Sequence, residues 1–248
     1  MSSSKRINIK NTNGQSLAVI FFSSLNPTDN LIVACHGFTG TKEGSGKAIE
    51  MAEFFSNKFN VVLFDFRGCG ESQGRFEDIT LTGQIDDLNS VVKWAKQEGF
   101  NKIGCVGRSF GGTTAICAAS ENKDIYSVVT WAAPADLESV FNMKKYEKDG
   151  EFFIIKGIEK EVKVKQTFFE DIKRYNVYRL VRDISPRPIF IIHGDKDEVV
   201  SCESAYKLYN AANDPKRLEI ISNDDHIFSK NYLEVWNKTL KWFVEMLL

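Results

Sequence analysis

The run Lys102-Ile103-Gly104-Cys105-Val106-Gly107-Arg108-Ser109-Phe110-Gly111-Gly112 carries an apolar stretch into Gly-x-Ser-x-Gly, and Thr113 to Ala119 continue it with small residues. That order reads as strand, sharp turn, helix, with Ser109 on the turn. Glycine is needed on both sides because the turn is strained and the helix must pack close to the strand. A Cβ at Gly107 or Gly111 would collide there. Such a turn lifts Ser109 to the top of a sheet with a helix N-terminus beneath it. The unpaired N–H groups of that terminus face any negative charge that develops at a carbonyl under attack.

Outward from this stretch, apolar runs and amphipathic segments alternate. Residues 7–10 and 16–22, separated by a turn at 11–14, read as an opening hairpin. Residues 31–35 form a continuous apolar run, as expected of a strand covered on both faces, and a polar, glycine-rich loop and a helix over 47–57 follow. A strand at 61–64 precedes a helix at 81–97, where Ile85, Leu88, Val91, Val92 and Ala95 recur at helical spacing. Beyond the Ser109 turn come strands at 126–131, 188–192 and 217–221 and helices at 203–212 and 232–248. The pattern predicts an α/β protein: a mostly parallel sheet of about eight strands, right-handed crossovers, and helices on both faces.

Residues 136–182 interrupt the alternation, and their composition shifts toward Lys, Glu and aromatic residues. They read as a lid inserted into a core made of 1–135 and 183–248. Within them, 151–155 and 161–165 suit a hairpin through Gly157, and 167–182 has helical character. Leaving the sheet at the carboxyl end of a parallel strand, the insertion is expected to overhang Ser109. Phe152, Phe153, Phe168, Phe169 and Tyr175 are its candidates for an apolar cleft.

Bulk properties narrow the function. A 248-residue chain with 43% hydrophobic and 26% charged residues suits one soluble α/β domain, and a formal net charge of -1 gives no long-range field for nucleic acid or anionic membrane. The five cysteines are scattered, with no Cys-x-x-Cys, so neither a disulfide framework nor a zinc site is expected, and a reducing cytoplasm fits them. The start lacks an apolar leader, and no run approaches the length of a membrane span. The apolar stretch at the C-terminus is read as a docked helix end.

A serine hydroxyl needs a base to take its proton and a third group to fix that base's tautomer. Of three histidines, His36 and His193 end strands, while His226 follows the last strand, where the order Ser, acid, His returns the base to the turn. The acid is sought in Ile191-Ile192-His193-Gly194-Asp195-Lys196-Asp197-Glu198, which offers three carboxylates. Asp195 suits a tight turn, and Asp197 reaches further out.

These landmarks, with His36-Gly37-Phe38-Thr39-Gly40, Asp65-Phe66-Arg67-Gly68-Cys69-Gly70-Glu71-Ser72 and Asp225-His226, resemble those of α/β-hydrolase serine esterases, most closely the cinnamoyl (feruloyl) esterase-like group. The resemblance runs from about Leu31 to the end, leaving out the insertion. It implies Ser109 as nucleophile, His226 as base, Asp197 as acid, and the backbone N–H groups of Phe38 and Phe110 as oxyanion donors. It also implies carboxylic-ester cleavage through an acyl-enzyme, on aromatic or short-to-medium acyl esters, with no cofactor or metal and a small-molecule substrate as partner. Arg108 departs from the histidine common at that place. A thioesterase, an aminopeptidase-like hydrolase and, from another class, a hydrolase-fold ligand receptor remain alternatives. Elsewhere, Asp65 and Arg67 are expected to make an ion pair that steadies a loop. Asp224 and Asp225 are expected to be solvated turn carboxylates, and Cys69 a packed thiol.

Overall fold

A computed structural model of the chain describes residues 3–157 and 160–248. Strands β1 (Ser4–Lys10) and β2 (Ser16–Phe22) form the opening antiparallel hairpin, with Ile7 opposite Val19. Strand β3 (Leu31–Cys35), helix α1 (Lys47–Phe55) and strand β4 (Asn60–Phe64) follow. Then come helix α2 (Leu81–Gln97), strand β5 (Ile103–Arg108), helix α3 (Phe110–Glu121) and strand β6 (Ile125–Trp131). Thr80 caps α2 by accepting the Gly83 N–H, which explains why the helix starts where it does.

The insertion comprises α4 (Leu137–Val140), strands β7 (Glu147–Asp149), β8 (Phe152–Lys156) and β9 (Glu161–Lys165), and helices α5 (Gln166–Ile172) and α6 (Val177–Leu180). The expected hairpin is β8 against β9, with Phe153 opposite Val164, and β7 adds a third strand that periodicity did not reveal. Its three residues are all exposed, so no alternation marked them. The helical stretch expected over 167–182 is broken: Asn176 caps a fresh helix by accepting the Arg179 N–H.

Strand β10 (Ile189–Gly194), helix α7 (Glu203–Ala211), strand β11 (Lys216–Ile221) and helix α8 (Tyr232–Leu247) complete the chain. The large sheet has the order β1-β2-β4-β3-β5-β6-β10-β11; β2 runs antiparallel to both neighbours, and from β4 onward every pair is parallel. This is the α/β-hydrolase fold.

Two cores lie on opposite faces. Met51 and Phe55 of α1 with Val235, Trp236, Trp242 and Phe243 of α8 cover one, which docks the C-terminal helix as expected. Helices α2, α3 and α7 cover the other, where Phe153, Ile155, Val164, Phe168 and Phe169 of the insertion join the same cluster. All parallel strands therefore present their carboxyl ends to one rim, and the loops at that rim hold the residues of interest. Among the described residues no helix is long and apolar enough to cross a membrane.

Candidate active site

Ser109 sits between β5 and α3 at φ 54 and ψ −126, a conformation a side chain rarely adopts. Its N–H donates to the Trp131 carbonyl at 2.7 Å, and its carbonyl accepts from the Gly112 and Thr113 N–H groups. The turn is thus tied to β6 and to the first turn of α3. The reason for flanking glycines is steric. A Cβ at Gly107 would overlap the Gly111 carbonyl, and one at Gly111 would overlap the His36 and Cys35 carbonyls.

The loop after β3 brings Phe38 beside this turn. A Cβ on Gly37 would stand 3.5 Å from the Ser109 Cβ, and the rings of Phe38 and Phe110 meet edge-on at 5.7 Å. His36 braces the loop rather than facing Ser109. Its Nδ1 donates to the Gly37 carbonyl at 2.8 Å, and its Nε2 accepts the Phe66 N–H at 3.2 Å. Burial lowers its pKa, and both nitrogens are already used in its neutral form.

His226 is buried on the loop after β11, and its Nδ1 donates to Asp197 Oδ2 at 2.7 Å. Asp197 lies on the loop after β10 with a fully buried side chain. Its Oδ1 accepts from the Val199 and Val200 N–H groups at 2.9 and 2.8 Å. Burial alone would raise its pKa; the N–H groups of His193, His226 and Val200 outweigh that and hold the carboxyl well below the usual range. Of the alternatives, Asp195 accepts the Asn223 N–H across the rim, and Glu198 is exposed.

A cavity of about 360 Å³ joins these pieces: Gly37, Phe38, Ser109 and His226 line it together. Val140, Phe141, Tyr146, Ile155 and Gly157 of the insertion close its far side. The five aromatic residues expected in the cleft are not on that wall. Phe168 and Phe169 are fully buried instead, with Phe168 packed 5.2 Å from Phe38 and 5.1 Å from Phe141. Phe153 packs on Phe169, and the Tyr175 hydroxyl meets Thr82 at 2.6 Å. A helix in contact with the core buries its bulkiest rings, whereas the cleft is lined by residues at the ends of short elements. Spacing could not sort one from the other.

Two other expectations need correcting. Asp65 and Arg67 do not pair with each other. Buried Lys42 bonds Asp65 at 2.8 Å and Glu71 at 2.6 Å, and Arg67 binds Asp87 at 2.7 Å and also Asp86. Carboxylates around the Lys42 ammonium outweigh its burial and raise its pKa. Asp224 is fully buried, not solvated: it accepts the N–H groups of Asp225, Lys230 and Asn231 and so shapes the His226 loop. Periodicity also gave no role to His193. It is fully buried in β10, and its Nε2–H is shared between the Val200 carbonyl at 2.9 Å and Asp197 Oδ2 at 3.0 Å. Cys69 is the packed thiol expected, with burial pushing its pKa up to about 12. Among the described residues no group of three or more His, Cys, Asp or Glu is placed to hold a metal ion.

A sequence model of the prolyl oligopeptidase family (peptidase S9) matches residues 48–248, most of the chain. The chain belongs to the prolyl oligopeptidase family. Relatives of this family member include the uncharacterized protein YfhR of Escherichia coli K12, 25% identical over 229 residues that cover 90% of this chain and 73% of YfhR. The human serine hydrolase BPHL is 22% identical over 234 residues, covering 88% of this chain and 80% of BPHL. In structure, Est1E from Butyrivibrio proteoclasticus, solved with ferulic acid bound, superposes with a TM-score of 0.84 at 22% identity, over 97% of this chain and 99% of Est1E. Family and fold together make this prolyl oligopeptidase family member a hydrolase.

Proposed function

We propose that the protein is a serine esterase that cleaves compact carboxylic esters through an acyl-enzyme. One observation carries this reading: Ser109 and His226 line one cavity, and His226 Nδ1 is bonded to a buried carboxylate at 2.7 Å. Ser109 Oγ attacks the ester carbonyl as its proton passes to His226 Nε2. The Nδ1–H bond to Asp197 fixes the tautomer that leaves Nε2 free to accept and supports the imidazolium that forms. The Phe38 and Phe110 N–H groups receive the oxyanion. His226 then protonates the departing alcohol, and water activated by the same ring releases the acid.

The cavity is small and mostly apolar, lined by Phe38, Pro134, Phe141, Ile155 and Val200, which favours a short or aromatic acyl group over a long chain. We assign residues 136–182 the role of a lid, because Gly157, just after β8, abuts the Phe38 loop: a Cβ there would stand 2.5 Å from Thr39 Cγ2. Labelling with a fluorophosphonate, followed by steady-state turnover of matched aryl esters, thioesters and aminoacyl anilides, tests the reading. Expected are stoichiometric labelling, loss of labelling in Ser109→Ala, and the highest kcat/KM on the ester. Labelling without turnover would make the protein a receptor, and a preference for the anilide would make it a peptidase.

A further inference from the structure

A second and larger cavity, about 500 Å³, lies on the other face of the sheet at the same rim. Leu63, Val106 and Trp131 of the sheet form its floor, and Met51 of α1 with Val235 and Trp236 of α8 form its sides. It does not include Ser109 or His226. The two chambers stand back to back. Arg108 lines both; residues 37–40 line the Ser109 chamber while His36, Thr41 and Lys42 line this one; His226 lines the first and Ile227, Phe228 and Ser229 the second.

We propose that this second chamber is a binding site for an uncharged hydrocarbon ligand, such as the alkyl part of a neutral lipid or long-chain alcohol. Its volume lies within the range of about 300–1,000 Å³ typical of small-molecule sites, and its walls are mainly apolar. Charge complementarity argues against an anion. Lys42 already meets Glu43, Asp65 and Glu71, Lys47 meets Glu50 at 2.7 Å, and Arg108 is engaged as well. Both His36 nitrogens are bonded and the Ser229 hydroxyl donates to Asp225 at 2.6 Å, so these polar groups need no ligand to satisfy them. The mainly apolar lining favours hydrocarbon over water. Met51 adds an adaptable wall that accommodates chains of differing shape.

An occupant rests against the backs of the segments that carry Phe38, Ser109 and His226. If it favours one arrangement of those loops, it changes affinity at Ser109 by the same factor by which a ligand there changes its own. The site itself stands whether or not Ser109 is the nucleophile.

The test uses 11-bromo-1-undecanol, whose bromine quenches nearby tryptophans, titrated into the whole chain while intrinsic fluorescence is read. Trp131 and Trp236 line the chamber, so saturable quenching is expected, reduced in Trp236→Phe. Ala48→Phe, which fills this chamber from α1, should weaken binding at least tenfold, whereas Val140→Phe, which fills the Ser109 chamber, should leave it within twofold. Thermal melts establish that each variant is folded, and Val235→Phe replaces Ala48→Phe if that one is not. Absence of saturable quenching up to the solubility limit of the alcohol would overturn the proposal. So would retention in the α1 and α8 variants with loss in Val140→Phe, since the chain would then occupy the Ser109 chamber.

Discussion

Both oxygens of Asp197 are spoken for: Oδ1 by the Val199 and Val200 N–H groups, Oδ2 by His226 with His193 close by. Asp197→Asn keeps the shape but turns an NH₂ toward a nitrogen that must donate, so kcat should fall by up to about 10⁴ while Asp195→Asn stays near wild type. The reverse ranking in purified variants would move the acid to Asp195. The same carboxyl couples stability to pH. Its folded pKa is depressed, so its contribution is fully present above the unfolded value of about 3.9 and is lost as pH falls below it. The difference in Tm between wild type and Asp197→Asn should therefore narrow as pH drops from about 5 toward 2; a constant gap would refute the coupling. His193→Leu removes the side-chain donor from the buried Val200 carbonyl and should cost about 1–3 kcal/mol, read by urea unfolding.

At the scale of elements, α5 and the short elements before it divide the work of the insertion. Asp171 of α5 accepts the N–H and the hydroxyl of Thr82 at the start of α2, and Phe168 fills the space between Phe38, Phe110 and Phe141. Phe168→Ala leaves a core cavity, so it should cost about 3–5 kcal/mol of stability and depress small and bulky esters alike. Tyr146 borders the Ser109 chamber and is half-buried, with its hydroxyl bonded to the Val140 carbonyl at 3.2 Å. Tyr146→Ala should shift kcat/KM for a bulky aryl-acyl ester relative to an acetyl ester by about tenfold, with little change in Tm. Equal change on both esters would remove Tyr146 from substrate selection.

Across the whole molecule, four of the five cysteines are buried, and burial pushes the thiols of Cys69 and Cys105 up to about 12. Thiolate is the reactive form, so Ellman's reagent at pH 8 should modify no more than one thiol in the native protein, Cys202, and five after unfolding. Fast modification of two or more native thiols would mean that the core opens far more often than this packing implies.

Chain order was legible because strand and helix periods differ. Apolar runs at β3 and β4, the helical stripe of α2 and the glycines around Ser109 specify an alternating α/β chain wherever they are met, since sterics and burial act locally there. The same local logic left β7 and the break at Asn176 unseen: one is wholly exposed, and the other turns on a single capping side chain. Ser109 stood out as a candidate from its strained turn, while the candidates His226 and Asp197 needed the order of strands and a family resemblance, because 29 residues separate them in sequence. Only the tertiary structure decided which rings face the cleft, that Lys42 and not Arg67 meets Asp65, and that His193 stands behind Asp197. These depend on side chains from distant segments competing for the same buried space and the same polar partners. Sequence spacing does not encode the outcome of that competition; close packing and the cost of an unmatched buried charge determine it.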